Sequence, residues 1–434
     1  MAKKQLTIEE KLQAALVPVE EQPYKVPENW CWTYLVAICE YMRAGGDKPK
    51  SMSAEKTIEN YIPVVANGLQ DDGIIGYTNV EKEKAGTLTV SGRGTIGHAV
   101  VRIYPYVPVV RLIVLSPNGA VSVSYLKYIF DCFEEEGTGS SIPQLTVPAL
   151  KNKKIPLPPL AEQSRIVARI ESLFAKLDEA KEKIQEVLDG ADLRRAAILH
   201  QAFTGNLTEK WRKSHTVTCA KDLQTKALVA REGQPESWIR CKIGDYLELK
   251  AGKFISAAEI NAEISDVTPY ECFGGNGIRG YVKNYNTEGT HPLIGRQGAL
   301  CGNVQVGEGK FYATEHAVVV TYKYDTDTMW IVELLRHMNL NQYSRSVAQP
   351  GLAVKNIVEL PIVIAPYEEQ VEIGRILDNL LSREQSTVTA CEEALTTIDT
   401  LKKSILARAF RGELGTNDPA EPSAQGLLQE ILEA

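Results

Sequence analysis

Two stretches of the chain carry apolar residues at alternating spacings of four and three, as in a helix that packs along one narrow face. The first contains Ile166, Ile170, Leu173, Leu177, Ala180, Ile184, Val187 and Ala191, is broken at Arg194 and resumes at Ile198. The second contains Ile373, Leu377, Leu380, Glu384, Thr387, Cys391, Ala394, Ile398, Leu401 and Ile405. Each stretch predicts a helix of about 44 residues, which is about 65 Å long.

Two seams of equal length in one chain favour a coiled coil in which the two helices pack against each other. The alternative is that each helix packs on the core of its own domain. The second seam is the more polar, because Glu384 and Thr387 occupy apolar positions. It is therefore either the weaker partner at these positions or the part that meets another subunit.

The same helix ending occurs twice, as AILHQAFTGNL over 197–207 and SILARAFRGEL over 404–414. The two copies lie 207 residues apart, and the same offset relates Glu162 and Gln163 to Glu369 and Gln370. Farther upstream, PENW (27–30) matches PESW (235–238), and SGRGTIG (91–97) resembles IGRQGALCG (294–302). Ordered matches at nearly one offset indicate an internal duplication.

Each half also predicts a globular part that mixes strands and helices. Strand-like stretches include GTLTV (86–90), VVRLIVL (109–115) and HAVVVTY (316–322), which are rich in β-branched residues. One helix is predicted in each half, over 122–135 and over 328–338, because apolar residues recur on one face. A proline-containing segment then leads into each long helix.

Composition excludes several classes of protein. At 434 residues with 24% charged and 44% hydrophobic residues, the chain is typical of a soluble multidomain protein. It has no secretory signal and no apolar run long enough to span a bilayer. Eight scattered cysteines without a C-x-x-C pair predict reduced thiols in the cytoplasm and no zinc site. The net charge of −7 argues against binding nucleic acid through bulk positive charge.

Catalytic motifs are not evident in the sequence. The segment GEGKF around Lys310 lacks the spacing of a P-loop, and neither H-E-x-x-H nor G-x-S-x-G occurs. The motif with which amino-methyltransferases hold a target base, Asn/Asp-Pro-Pro-aromatic, is also missing. We therefore predict a recognition or scaffold subunit without a catalytic site, a cofactor or a metal of its own. An enzyme with unrecognised motifs is the alternative.

Glycine-rich turns around Arg93 and Arg296 are the candidate binding elements. Glycines permit tight turns and close approach to a ligand, and arginine can bridge guanine edges or hold phosphate. The alternatives are a hairpin turn with a solvated arginine, or an arginine that supports the fold. With neighbouring polar side chains, the candidate DNA-contacting residues are Arg93, Thr95, His98, Asn67, Gln70, Tyr77, Arg296, Gln297, Asn276, Arg279, Lys283 and Lys253.

The chain resembles the specificity subunits of type I restriction–modification enzymes. The resemblance rests on PLPPLAEQSRIVARIESLFAKLD (156–178), AILHQAFTGNLTEKWR (197–212), SILARAFRGEL, and the PENW and PESW openings. It covers essentially the whole chain, but the second helix start, APYEEQVEIGRIL, is a looser match.

The resemblance implies an α+β fold with two target-recognition domains separated by two long helices that pack as an antiparallel coiled coil. Each domain would read half of a split, asymmetric DNA target through the major groove, and the helices would set the gap. Two modification subunits, which bind S-adenosylmethionine, and restriction subunits, which hydrolyse ATP with Mg²⁺, would dock on the chain. The subunit itself would not be catalytic.

The predicted division of the chain follows from these elements. It comprises an N-terminal helical segment (1–26), recognition domain 1 (27–157), spacer helix 1 (158–205), a linker with a short helix (206–234), recognition domain 2 (235–364), spacer helix 2 (365–412) and a C-terminal tail with a short helix (413–434).

The two globular parts both carry a small negative net charge, so we expect local patches to make the DNA contacts. The first, 27–150, has 10 basic and 13 acidic residues, and the second, 235–355, has 12 and 13. Neither is a basic module of the usual kind, so we expect the partner subunits to add phosphate contacts. Two alternatives remain: a specificity subunit of a related phage-defence assembly, and a coiled-coil scaffold with no role on DNA.

Overall fold

A computed structural model describes residues 7–132, 145–298, 300–344 and 351–433. The chain forms two compact units. Unit 1 is Met1–Ile184 with Glu393–Ala434, and unit 2 is Gln185–Glu392. Each unit therefore combines one globular domain with parts of both long helical stretches.

The described α-helices and strands have the following bounds. The helices are α1 Ile8–Ala15, α2 Val123–Cys132, α3 Val147–Lys151, α4 Leu160–Asp189, α5 Ala191–Phe203, α6 Glu209–Arg212, α7 Lys221–Gln224, α8 Ile243–Tyr246, α9 Thr328–His337, α10 Val354–Ile357, α11 Tyr367–Ala409 and α12 Ala424–Glu433. The strands are β1 Cys31–Tyr34, β2 Cys39–Ala44, β3 Ile62–Val65, β4 Ile74–Thr78, β5 Thr87–Val90, β6 Ala99–Arg102, β7 Val107–Pro108, β8 Ile113–Pro117, β9 Lys154–Leu157, β10 Ile239–Lys242, β11 Leu247–Ala251, β12 Tyr270–Gly274, β13 Gly277–Val282, β14 Thr287–Glu288, β15 His291–Gly295, β16 Val304–Gly307, β17 Lys310–Ala313, β18 Ala317–Tyr322 and β19 Pro361–Ile364.

The duplication recurs in the strand order of the sheets. Unit 1 has sheets ordered β1-β9, β2-β8-β5-β6 and β4-β3-β7. Unit 2 has the corresponding sheets β10-β19, β11-β18-β15-β16 and β13-β12-β17-β14. In both units the third sheet contains one parallel pair, β3 with β7 and β12 with β17. The predicted fold class, mixed sheets combined with long helices, is confirmed.

One predicted strand is wrong over its first half. The stretch 109–115 was predicted as a continuous strand, but β8 begins only at Ile113. Val110 and Arg111 have φ angles of 53° and 60°, a left-handed conformation that cannot continue a strand. The other predicted strands and domain helices correspond to β5, β18, α2 and α9.

The first long helix is interrupted, whereas the second is continuous. Gly190 separates α4 from α5, and glycine is the poorest helix former after proline. The Arg194 guanidinium reaches back across the break and donates to the Val187 carbonyl at 2.7 Å. By contrast, α11 runs unbroken for 43 residues.

Within each unit the long helices are antiparallel. In unit 1, Asp178 pairs with Lys402 and Lys181 pairs with Asp399, so residue numbers rise on one helix as they fall on the other. In unit 2, Arg194 pairs with Glu384 at 2.7 Å. The two charged residues that interrupt the predicted seams therefore neutralise each other.

The apolar seam is buried at the start of α4, at the start of α11 and at Ile398, and is more open elsewhere. Ile166, Ile170, Ile373, Leu377 and Ile398 are buried. Leu173, Leu177, Ile184, Ile198, Leu380 and Ile405 are half-buried.

Leu401 departs from the predicted seam, because its side chain is 44% exposed. Lys402 lies over the Phe174 ring instead, with Nζ 5.1 Å from the ring centre. The aliphatic part of a lysine can cover an apolar surface in this way.

The repeated motifs of unit 1 meet at one point, which we call its junction. Glu162, at the start of α4, is fully buried and accepts hydrogen bonds from Trp30 Nε1 at 2.7 Å and Thr416 Oγ1 at 3.3 Å. Gly412, after α11, has a φ of 73°, and a Cβ there would lie 2.5 Å from Pro27. The opening of the first half thus packs on the helix ending of the second half.

The junction of unit 2 repeats this arrangement with the halves exchanged. Glu369 accepts from Trp238 Nε1 at 2.8 Å and from Thr208 Oγ1 at 2.7 Å. A Cβ on Gly205, after α5, would lie 2.5 Å from Pro235. Glu369 also forms an ion pair with Arg212, for which unit 1 has proline at the corresponding position, 419.

The glutamine that follows each junction glutamate binds the N-terminal end of the helix in the recognition domain. Gln163 Oε1 accepts from the Ser122 backbone N–H at 2.8 Å, just before α2. Gln370 Oε1 accepts from the Asp327 N–H at 3.1 Å, at the N-cap of α9. Both glutamines are buried, so the long helices and the recognition domains are rigidly joined within each unit.

The two junction glutamates predict unequal responses to neutralisation. Glu369→Gln should lower the free energy of unfolding of unit 2 by about 3 kcal/mol, because it leaves the Arg212 side chain, which is only 18% exposed, without its carboxylate. Glu162→Gln should cost less than about 1 kcal/mol, because an amide oxygen still accepts from Trp30. The free energy of unfolding of each variant is measured by denaturant titration. Hydrogen exchange, followed in peptides from each unit, shows which unit is destabilised.

The pH dependence offers a control. Burial raises the pKa of Glu162, so folded unit 1 binds a proton more readily than the unfolded chain. Its stability should fall as the pH rises through that raised pKa, and Glu162→Gln should abolish this slope. Equal destabilisation by the two variants would contradict the inequality between the junctions.

Candidate nucleic-acid interface

Three loops of unit 1 meet beside the sheets. Loop A1 is 66–73, between β3 and β4; loop B1 is 91–98, between β5 and β6; and loop C1 is 109–112, between β7 and β8. Asn67 joins them, since its Nδ2 donates to the Val110 carbonyl and its Oδ1 accepts from the Gly92 N–H, both at 2.8 Å. The predicted binding residue Asn67 therefore also supports the loop that carries Arg93.

Unit 2 has the corresponding loops. Loop A2 is 274–277, loop B2 comprises 296–298 and 300–303, and loop C2 is 314–316. A Cβ on Gly295 would lie 1.8 Å from the Gly275 carbonyl oxygen, so loops A2 and B2 touch through their backbones. Arg296 contacts loop C2, since its N–H donates to the His316 carbonyl at 3.0 Å and its Nη1 to the Glu315 carbonyl at 3.3 Å.

An open groove of about 530 Å³ lies at the loops of unit 2. Its lining consists of Gly275, Asn276, Gly277, Ile278, Arg279, Gln297, Gly298 and His316. The fold therefore brings together three predicted binding residues, Asn276, Arg279 and Gln297. Amide and guanidinium groups are the side-chain groups that form paired hydrogen bonds with base edges.

The remaining predicted residues fall into two groups. Arg93, Thr95 and His98 lie on loop B1, Gln70 on loop A1, and Lys253 beside loop C2. Tyr77 and Lys283 lie toward the far ends of the β3–β4 and β12–β13 hairpins, away from loops A1 and A2.

Several polar atoms in these loops are buried without a hydrogen-bond partner among the described residues. In unit 1 they are Thr95 Oγ1 and His98 Nε2, and in unit 2 Arg296 Nε, Glu315 Oε2 and His316 Nδ1. Buried polar groups are normally paired. Loop B of both units and loop C2 therefore contain polar groups that the described residues leave unsatisfied.

Backbone strain is also concentrated at the loops of unit 1. Among the described residues, five that are not glycine have positive φ, and four of these are Asp71, Asp72, Val110 and Arg111. Such conformations cost about 1–3 kcal/mol each and cluster at functional sites. Arg102 holds the first pair, since its buried guanidinium donates to the Asp72 carbonyl at 2.8 Å.

Sequence reasoning missed loops C1 and C2. Arg111, Glu315 and His316 border the arginine loops of their domains, yet Arg111 and His316 lie in the stretches 109–115 and 316–322, which read as strands. No period in the sequence marks the left-handed turn at Val110 and Arg111. A bulky charged residue within an apolar run was the available signal.

Among the described residues there is no candidate for a metal site, a disulfide or a membrane span. No group of three histidine, cysteine, aspartate or glutamate residues there could share a metal ion. The eight cysteines are unpaired. None of the described helices is both long and apolar enough to cross a membrane.

Two parts of the chain match the same family of known proteins. Residues 27–189 and 235–393 each match the family described as type I restriction modification DNA specificity domain. The chain is 50% identical over 139 residues to the specificity subunit of the type I restriction enzyme EcoprrI from Escherichia coli, a match that spans 32% of this chain and 35% of that protein. It is 26% identical over 305 residues to the EcoKI specificity subunit of Escherichia coli K12, covering 64% of this chain and 63% of that protein.

A solved structure is similar over most of the chain. The HsdS subunit from Thermoanaerobacter tengcongensis superposes with a TM-score of 0.61 and 18% identity. The match covers 90% of this chain and 99% of that one. At this level of identity the likeness establishes the fold.

The arginines of loops B1 and B2 can be tested directly. Arg93→Ala and Arg296→Ala should each weaken binding of double-stranded DNA by the assembled complex by about 1–3 kcal/mol if the guanidinium makes a bidentate contact. Fluorescence anisotropy at fixed salt measures the affinity. Lys127→Ala, an equal charge change on α2, is the matched control. Unchanged affinity in both arginine variants, with correct folding, would remove these residues from the interface.

Proposed function

Because the chain belongs to the type I restriction–modification specificity subunits and carries two recognition domains, we propose that it reads a two-part, asymmetric DNA target. Each domain would read one half-site. The observation that supports the proposal is that a cluster of three loops recurs in both units with different side chains, including Asn67, Gln70 and Arg111 in unit 1 and Asn276, Gln297 and His316 in unit 2. Equal scaffolds with unequal surfaces favour two different half-sites.

The long helices would set the gap between the half-sites. Support comes from the junctions, which fix each recognition domain to α4 or α11 through buried hydrogen bonds. A rigid attachment transmits the length of a helix to the position of a domain, whereas a flexible one would not.

The chain would also be the scaffold of the complex. Because the junction repeats in both units, each unit can present an equivalent surface to one of two identical modification subunits. Restriction subunits would join this core. S-adenosylmethionine, ATP and Mg²⁺ would be bound by those partners, and this chain would contribute recognition without catalysis.

A related phage-defence assembly would use the same features, so it is the alternative nearest to this proposal. A coiled-coil scaffold without a role on DNA is disfavoured by the polar atoms left without partners at both loop clusters. Methylated motifs in genomic DNA from cells that express the complex distinguish the scaffold from the other two, because a scaffold alone would specify none.

The spacer hypothesis predicts the effect of lengthening both helical stretches. We would insert one heptad after Ile184 and one after Glu392, the boundaries of the two compact units. Each insertion adds about 10 Å, or about three base pairs at 3.4 Å each. Long-read methylation sequencing should show both half-sites of the wild-type motif, now separated by the longer gap.

Insertion of a heptad into only one helix is the control, since it breaks the antiparallel register. An unaltered gap in a double-insertion variant that still supports methylation would refute the spacer. A wild-type complex that methylates no two-part motif would refute the proposed function.

The duplication predicts that a half-length chain, Met1–Lys213, pairs with a second copy of itself. In unit 2 Arg194 faces Glu384, whose counterpart at the 207-residue offset is Leu177. In such a dimer each Arg194 would therefore face Leu177 of the other copy. The dimer should then methylate a palindrome, because a two-fold protein reads a two-fold target.

Leu177→Glu provides a matched variant of the fragment. It recreates the Arg194–Glu384 pair twice and should tighten the dimer, as analytical ultracentrifugation would show. Lys127→Ala is the comparison, since it makes the same change of charge on α2, where Lys127 pairs with Asp131 of its own helix. A fragment that stays monomeric, or that methylates a non-palindromic site, would contradict this account of the repeat.

A further inference from the structure

Loop C1 holds two consecutive residues in a conformation that their side chains disfavour. Val110 and Arg111 have φ angles of 53° and 60°. The turn is fixed by its neighbours, since the Val110 N–H donates to the Gly46 carbonyl at 2.9 Å and the Arg111 N–H to the Gly45 carbonyl at 3.0 Å. The Leu112 N–H closes it on the Val109 carbonyl at 3.1 Å.

Neither side chain offsets this strain by packing in the core. Val110 is 44% exposed, and Arg111 is exposed. Among the residues that the structure describes, the Arg111 guanidinium has no hydrogen bond or ion pair. Glycine would adopt the same backbone without strain, so the presence of an arginine calls for a use of the side chain outside the fold.

Loop C2 occupies the same place in unit 2. The Gly252 N–H donates to the Ala317 carbonyl at 2.9 Å, as the Gly45 N–H donates to Leu112 at 2.7 Å. Ala317 also closes its turn on Thr314 at 2.9 Å, as Leu112 does on Val109. By this correspondence, His316 occupies the position in unit 2 that Arg111 occupies in unit 1.

The two loops differ in the groups they offer. His316 lines the groove of unit 2 with Asn276, Arg279 and Gln297, its Nδ1 has no partner among the described residues, and its Nε2 lies 3.2 Å from Glu315. Arg111 lies next to the arginine loop of unit 1, since a Cβ on Gly92 would lie 3.3 Å from its carbonyl oxygen. A guanidinium offers a fork of donors, and an imidazole offers one nitrogen on each side.

We infer that Arg111 and His316 are specificity-determining residues, each reading a base edge of the half-site that its own domain recognises. The inference rests on the proposed function and assigns residues to it. The Arg111 guanidinium has the geometry to bind the two acceptors of a guanine in the major groove. His316 supplies one nitrogen at the corresponding place, Nε2, because its Nδ1 is buried, so the two half-sites differ at the base under loop C1 or C2.

The test uses the full chain assembled with its modification subunits, and genomic DNA as the probe. Arg111→Ala and Arg111→Lys should relax the motif at one position of one half-site, and should weaken binding of the wild-type site about ten- to a hundred-fold. His316→Ala should relax the other half-site alone. Lys127→Ala, on α2 of the same domain as Arg111, should leave the motif as it is.

Arg111→Gly separates function from folding. It relieves the left-handed strain, so the midpoint of chemical unfolding should rise. The motif should still relax at the same position of the half-site. A purely structural role predicts the reverse, a lower midpoint with an unchanged motif, and that result would overturn the inference. Uniformly weaker methylation with every base of the motif retained would also overturn it, because it would assign Arg111 to phosphate.

Failure of the inference and failure of the proposed function look different. If the wild-type complex yields a two-part motif that neither Arg111 nor His316 variants alter, the residue assignment is wrong and the function stands. If the wild-type complex yields no two-part motif, the proposed function itself is wrong.

Discussion

The buried hydrogen bond between a helix-start glutamate and an opening tryptophan is the contact on which the rest of the structure depends. A carboxylate with no exposure must have its oxygens satisfied. Glu162 and Glu369 accomplish this with a tryptophan from the domain opening and a threonine from beyond the end of the other half's long helix. Three segments that are far apart in sequence are thereby drawn to one point in each unit.

This arrangement gives the duplication its structural meaning. Each unit takes its opening and its helix start from one half of the chain, and its helix ending from the other. A half-length chain therefore lacks a piece of its own junction, which only a second copy can supply. Glycine at 205 and 412 is required at these endings because a Cβ would collide with Pro235 or Pro27.

With the scaffold fixed in this way, the two halves have diverged where the scaffold leaves freedom. Arg194 and Glu384 neutralise each other on the seams, and Arg212 reinforces the junction of unit 2 alone. These pairs favour the covalently joined halves over two identical ones. The loops differ further, from the strained Val110–Arg111 turn to the groove that contains His316, while the strand order beneath them is retained.

The sequence by itself determined the duplication, the long helices, the mixed α/β domains and the family, because these follow from periodicity and from motifs repeated at one offset. It placed Arg93 and Arg296 in loops, and it marked Arg194 and Glu384 as anomalies of the seams. It did not show that these two anomalies are partners, that Gly190 ends α4, or that Leu401 turns outward. Nor did it reveal loops C1 and C2, since the left-handed turn at Val110 and Arg111 is held by hydrogen bonds to Gly45 and Gly46, which follow β2. Periodicity records which face of an element is apolar, whereas pairing, strain and loop contacts depend on residues that only the folded chain brings together.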